Sequence, residues 1–279
     1  MARDVDGGAD PEFDWSWTDE DIDWVPPSVD SRKPSVARMY DYYLGGKDNF
    51  AVDRDAAEAV ARTAPAARLV ATANRQFLVN AVRLMSQAGI HQFLDLGTGI
   101  PTSPNVHEVA REAHADARVI YVDNDPVVLV HNRALLARHE GVATITQDLR
   151  QPNLVLGDPT VQKMIDFSQP IGLLCIAVLH FVSHDIAPEI MAQYRRVMAP
   201  GSYLAISAAA YEGVALNTVR ELESIYGGAN AALIFRSRSQ VEQLFEGFEL
   251  VEPGLAPVTQ WRADGEGGEG AICGVGRKL

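Results

Sequence analysis

The chain has 279 residues, 47% of them hydrophobic, and a formal net charge of −13. This length buries one substantial core, or one domain with an added subdomain. So acidic a balance lacks the attraction on which nucleic acid binding rests, which leaves small molecules or proteins as partners. The longest apolar run, 171–182, is too short to span a bilayer, and no basic, apolar leader opens the chain. Cys175 and Cys273 lie in expected strands without metal-ligand spacing, so the reading is a cytoplasmic protein with buried, reduced thiols, no metal and no membrane contact.

Residues 1–31 hold ten acids (Asp4, Asp6, Asp10, Glu12, Asp14, Asp19, Glu20, Asp21, Asp23 and Asp30) against Arg3, leaving only −4 for the remainder. Trp15, Trp17 and Trp24 interrupt this acidic extension, and aromatic residues are out of place in a merely solvating segment. Two readings stand: a tail that docks on the domain or on a neighbouring subunit, and a disordered extension, above all over 1–12.

A helical block follows over 32–90, with 56–61 (Ala-Ala-Glu-Ala-Val-Ala) a strong helix former and Pro65 a break. It precedes the first strand and can lie over the carboxyl end of a sheet as a lid; such blocks also serve homodimers. Its run 38–50 packs three tyrosines, a glycine pair and Asn49 into a short space. Tyr40 and Tyr43 share a helical face, and their rings would attract a cation. Gly45 and Asn49 are candidate ligand contacts in the turn behind them. The competing reading makes the tyrosines core with wet hydroxyls and the glycines a helix end. Arg75, beside Asn74 on the helix toward the first strand, is placed to clamp a carboxylate by paired hydrogen bonds.

From residue 91 to 279, β-rich and helical segments alternate, which indicates an α/β sheet. Residues 93–102 (Phe-Leu-Asp-Leu-Gly-Thr-Gly-Ile-Pro-Thr) read as a strand ending in a glycine turn, with Asp95 just before it. Gly97 and Gly99 allow a sharp turn and close approach of a ligand. A dinucleotide turn needs a third glycine and a phosphate over a helix N-terminus, but Ile100 and Pro101 stand here. S-adenosylmethionine has no phosphate and presents an ammonium, which suits Asp95. A second run, 118–125, ends in Asp123, Asn124 and Asp125, with Asp123 24 residues after Gly99, the distance for a helix and a return strand. There Asp123 can accept ribose hydroxyls, while Asp125 before Pro126 reads as a helix cap. A third, 143–148, brings Asp148 to the adenine amino group, with Leu149 beside it. For Asp123 and Asp148 the alternative is a cap or turn residue.

The run 173–179 ends at His180, on the same sheet edge, and is a candidate general base. His184 and Asp185 start the next helix. Residues 248–251 and 271–275 read as a closing strand pair around the glycine-rich stretch 265–270.

Taken together, 93–102, 121–125, 147–148, 177–181 and 199–201 resemble the successive motifs of class I S-adenosylmethionine-dependent methyltransferases. More narrowly, 34–53 with 73–78 resembles an actinobacterial methyltransferase-like family of largely unassigned substrate, the likeness running from about residue 32 to the C-terminus. The resemblance implies a Rossmann-like α/β fold, seven strands mainly parallel with the last antiparallel. It also implies S-adenosylmethionine, leaving as S-adenosylhomocysteine, over Gly97 and Gly99, with Asp95, Asp123 and Asp148 in cofactor roles. Pro101 departs from the commoner third glycine. His180 resembles the histidine that removes a hydroxyl proton in many O-methyltransferases, and equally one that packs or orients a loop. The expected function is methylation of a small molecule, an O-methylation in secondary metabolism. The alternative is a non-catalytic protein that binds S-adenosylmethionine or S-adenosylhomocysteine and signals through a partner. An acceptor chamber beside the cofactor, near the tyrosines, His180 and Tyr211, separates the two. A nicotinamide-dependent oxidoreductase is opposed by Asp95 and the missing glycine.

Overall fold

The computed structural model describes residues 30–136, 140–263, 265–267 and 269–279, of which Ser31–Leu279 belong to one compact unit. The tryptophans of the acidic extension lie outside the described residues. Helices α1 (Val36–Tyr43), α2 (Ala51–Thr63) and α3 (Ala67–Gln87) come first, and Pro65 falls in the break between the second and third. The α/β segment then runs β1 (Gln92–Leu96), α4 (Val106–Arg111), β2 (Arg118–Asp123), α5 (Pro126–Leu136), β3 (Val142–Thr146), α6 (Pro152–Leu156), α7 (Pro159–Met164), β4 (Gly172–Ile176), α8 (Ala187–Val197) and β5 (Tyr203–Ala209). It closes with α9 (Leu216–Gly227), α10 (Arg238–Gln243), β6 (Phe248–Leu250), β7 (Ala256–Pro257) and β8 (Ala271–Lys278).

The strands form one sheet in the order β3-β2-β1-β4-β5-β8-β6, parallel from β3 to β5, with β8 antiparallel to both its neighbours. The expected closing pair is observed, with Leu250 opposite Gly276. An eighth strand joins the seven: β8 is long enough to pair with β5 along its length, with β6 near its C-terminal end and with the two-residue β7 near its start.

Alternation along the buried strands builds two cores. Leu94, Ile120, Val122, Leu173 and Cys175 face one side, against Val161, Ile190 and Tyr194 of the helices there. Phe93, Val119, Tyr121 and Leu174 face the other, against Phe77, Val82 and Met85 of α3. Both cysteines are free and buried, and burial pushes their thiols up. Among the described residues no helix is long and apolar enough to cross a membrane.

A third cluster joins Met39 and Tyr43 of α1, Ala57 and Val60 of α2, Val219 and Leu222 of α9, and Phe235. Thus α3 serves as a sheet-layer helix, while α1, α2 and α9 make the cap. Asp53 locks this cap together. Its carboxylate accepts from the backbone N–H of Ser35 (2.9 Å) and Phe50 (2.8 Å), the ends from which α1 and α2 spring, and pairs with Arg38 Nε (2.6 Å), all buried or partly buried.

Candidate functional site

Beyond the carboxyl ends of β1, β2, β4 and β5 lies a cavity of about 840 Å³, in the range of small-molecule sites, roofed by α1, α2 and α9. One half is polar, with Asp95, Thr98, Asp123, Asn124 and Gln147. The other is apolar, with Tyr43, Val60, Leu222, Tyr226, Leu233 and Phe235.

The glycine turn has the required backbone. Gly97 and Gly99 sit at φ +70 and +66, and a Cβ on Gly97 would stand 2.2 Å from Val178 Cγ2. Asp123 braces this turn: Oδ2 accepts from Gly99 N–H at 2.9 Å and Oδ1 from Asp125 N–H at 2.9 Å. Burial pushes the Asp123 carboxyl up to about 6, against the pull of those donors, with Asp125 adding repulsion. Asp95 is raised to about 6 by burial, partly offset by Thr98 and by the charge of Arg75. Neither is ion-paired among the described residues. Buried carboxyls so perturbed, lining one cavity, mark a functional site and fit a ligand that brings an ammonium and hydroxyl donors.

Asp125 caps α5, accepting from Val127 N–H (2.8 Å) as its place before Pro126 suggests, and its second oxygen accepts from Ser35 Oγ (2.8 Å). Asp148 also lines the cavity, next to Leu149, but serves its own turn. It accepts from the Arg150 backbone N–H (2.9 Å) and from Arg150 Nε and Nη2 (2.9 and 2.6 Å). Burial would raise it, yet the Arg150 bonds leave it net below the usual range. Arg150 thus fixes the Asp148 carboxylate in its turn at the cavity wall, with acceptor capacity left on Oδ2.

Tyr40 lines the cavity, its hydroxyl donating to Ala71 O (3.1 Å) and accepting from Asn74 Nδ2 (2.8 Å). Burial, first of all, raises the phenol of Tyr43, whose hydroxyl faces that of Tyr226. Arg75 reaches the cavity too: its Nη2 donates to the carbonyls of Thr102 and Pro104 in the loop after the glycine turn, while its Nε is buried with no partner among the described residues. Gly45 and Asn49 lie off the cavity wall. Gly45, at φ +81, ends α1, and Asn49 Nδ2 donates to Asp41 Oδ2 (2.8 Å), which also accepts from Asp48 N–H (3.0 Å). A Cβ on Gly46 would stand 1.9 Å from Asp41 Oδ1. The 38–50 block is therefore a turn wrapped around Asp41, and only its tyrosine-bearing helix meets the cavity.

His180 sits on a 3-10 turn, Leu179–Phe181, after β4. Its carbonyl accepts from Ile234 N–H (2.9 Å), and its Nδ1 accepts from the backbone N–H of Ala209 (3.2 Å). An N–H can only donate, so the neutral ring carries its proton on Nε2. Burial, then the charge of Arg236, pushes the imidazole down to about 3. Arg236, 1% exposed, holds the same turn through Leu179 O (2.7 Å) and Val182 O (2.6 Å). A ring so protonated and so weakly basic is not arranged to take a proton, which runs against the general-base expectation.

Several wall residues escaped sequence reading. Ala177, a non-glycine at φ +54 just after β4, has its N–H held by Ser207 Oγ (2.9 Å), and strain of this kind gathers at sites. Tyr226, Leu233 and Phe235 arrive from the far end of the chain; the apolar run 231–235 was their only signal. Tyr211 stays off the wall and stacks beside Phe235 instead, centroids 5.9 Å apart.

A family model described as S-adenosyl methyltransferase matches residues 22–278. The crystal structure of a candidate methyltransferase from Thermobifida fusca is 41% identical, with a TM-score of 0.86, covering 91% of this chain and 98% of that one. A DUF574-family protein from Streptomyces avermitilis is 38% identical with a TM-score of 0.85, covering 90% and 99%. No curated protein matches the chain. With a family model spanning nearly the whole sequence and the glycine turn and strand-end acids in place, the chain belongs to the S-adenosyl methyltransferase family, whose cofactor is S-adenosylmethionine.

Proposed function

We propose that this protein transfers the methyl group of S-adenosylmethionine to an oxygen of a small molecule held in the apolar half of the cavity, in a reaction of secondary metabolism. The observation that carries the reading is the continuity of one cavity from Asp95 and Asp123 to the chamber around Tyr43, Leu222 and Phe235. A protein that only sensed the cofactor would have no use for that second chamber. Asp95 would take the ammonium, Asp123 the ribose, and the backbone at Gly97 and Gly99 would allow close approach.

Methyl transfer is an in-line displacement at a carbon already activated by the sulfonium, so alignment is the main task. Positioning is worth roughly 7–11 kcal/mol of barrier, against roughly 3–5 kcal/mol for a general base. A site without a base is therefore still a competent one.

The test uses methyl-labelled S-adenosylmethionine with a small-molecule extract as acceptor. Label should enter an extractable product with the wild-type protein. It should be lost with Leu222→Trp, which fills the chamber, while S-adenosylhomocysteine still binds. Label that never leaves the cofactor, or transfer indifferent to Leu222→Trp, would contradict the proposal.

A further inference from the structure

His180 is the polar side chain where β4 ends, and its surroundings constrain what it can meet. The Ala209 N–H occupies Nδ1, so Nε2 bears the proton. Nε2 is not among the buried polar atoms left without a partner, and no protein hydrogen bond ends on it, so it is open to the cavity the residue lines. The charge that bears on the ring is that of Arg236. That guanidinium is buried, is held by two carbonyls, and has no carboxylate partner among the described residues. Burial lowers it with no acid offsetting the shift. The acids lining the cavity are Asp41, Asp95, Asp123, Asp125, Asp148 and Glu269, and none of them is among the charges that bear on the ring. A cation buried without its counterion, behind an N–H donor aimed at open space, makes that end of the cavity favourable to negative charge.

We propose that His180 is a positioning residue whose Nε2–H holds an acceptor oxygen already ionised at neutral pH, a carboxylate or an acidic phenol, so that methyl transfer here needs no protein base. The proposal rests on the methyltransferase reading and names its acceptor class. The reaction balances without a proton transfer on the protein. The oxyanion forms its bond to the methyl carbon, the carbon–sulfur bond breaks, and the electron pair passes to the sulfonium. The products are a neutral ester or ether and neutral sulfur. A phenol gives its proton to solvent before it binds. A buried imidazole held near 3 stays a donor throughout the physiological range.

The test has two arms, both on the full chain. In the first, long-range proton–nitrogen correlation spectra of ¹⁵N-histidine protein, assigned by the loss of one signal in His180→Gln, read the tautomer without any substrate. The expected result is a neutral Nε2–H ring at neutral pH that is still neutral at about pH 5, where an ordinary histidine is charged. A proton on Nδ1, or titration near the usual value, overturns the proposal.

In the second arm, calorimetry on protein saturated with S-adenosylhomocysteine compares benzoate, phenylacetate and indole-3-acetate with their amides. The carboxylates should bind roughly 10- to 100-fold more tightly than the amides, the worth of a hydrogen bond to a charged group. His180→Ala should abolish that preference. His180→Gln, which keeps an N–H donor but cannot act as a base, should retain it within about threefold. Amides that bind as well as the acids, or carboxylates that do not bind at all, overturn the proposal. A protein that fails to take S-adenosylhomocysteine refutes the underlying function and the proposal with it, and is recognised as such because the ring spectra do not depend on that ligand.

Discussion

The carboxylate of Asp123 accepts the backbone N–H of Gly99 at 2.9 Å, tying the end of β2 to the turn after β1. One residue thus shapes the glycine turn and supplies a charge to the cavity beside it. Asp123→Asn removes the charge and keeps one of the two oxygens that accept backbone N–H groups, setting an NH2 against the other. It should weaken S-adenosylhomocysteine binding roughly 10- to 100-fold, the worth of charge-assisted bonds. Equal affinity by calorimetry would separate Asp123 from the ligand.

Binding should also depend on pH. Asp95 and Asp123 are both held up to about 6, so acidification through that value neutralises the groups that would pair with the ammonium and ribose. Affinity for S-adenosylhomocysteine should fall by about tenfold per pH unit below 6 for each proton taken up. Stability of the unliganded protein runs the other way. For these raised carboxyls the stabilising contribution is fully present below the unfolded value near 4 and is lost as pH rises through about 6. Denaturant melts of wild type and Asp123→Asn between those limits would show this loss in the wild type and a smaller one in the variant. Identical pH profiles would contradict it.

Gly97 tests the backbone. At φ +70, with Val178 Cγ2 only 2.2 Å from a Cβ, Gly97→Ala should cost about 1–2 kcal/mol from the left-handed backbone, plus the clash. The double variant with Val178→Ala should recover only part of the clash, because the Cβ of residue 178 still stands 2.8 Å from the added one, and should leave ligand binding impaired. Full stability in Gly97→Ala would mean that the turn is not constrained as described.

The cap depends on the buried Asp53–Arg38 pair. Asp53→Ala takes the carboxylate away from the Arg38 guanidinium and from two backbone N–H groups, a loss of about 3–5 kcal/mol for such pairs. The consequence should be local, because the sheet cores do not include these residues. Limited proteolysis should cut within residues 31–66 first, while the rest of the domain survives. Simultaneous loss of the whole domain would contradict a separable cap.

What the sequence revealed and what it withheld divide along a physical line. The glycine turn, Asp95, Asp123 and the Asp125 cap were legible because strand, turn and acid follow at fixed short offsets. The strand alternation and the closing pair were legible for the same reason. Which donors and acceptors are already engaged is a tertiary matter: Asp148 accepts from Arg150, Asn49 donates to Asp41, and Arg75 Nη2 donates to the carbonyls of Thr102 and Pro104. The proton on His180 is decided by a backbone N–H on β5, 29 residues away, and the chamber by α9 and 231–235, which no local pattern joins to the tyrosines.

The central claim is that the strand-end acids bind S-adenosylmethionine. Calorimetric titration of the full chain with S-adenosylmethionine and S-adenosylhomocysteine, with NAD as control and Asp123→Ala as the site variant, tests it most directly. The account predicts binding of the first two, none of NAD, and loss of binding in the variant. Binding of NAD instead, or affinity unchanged by Asp123→Ala, would contradict it.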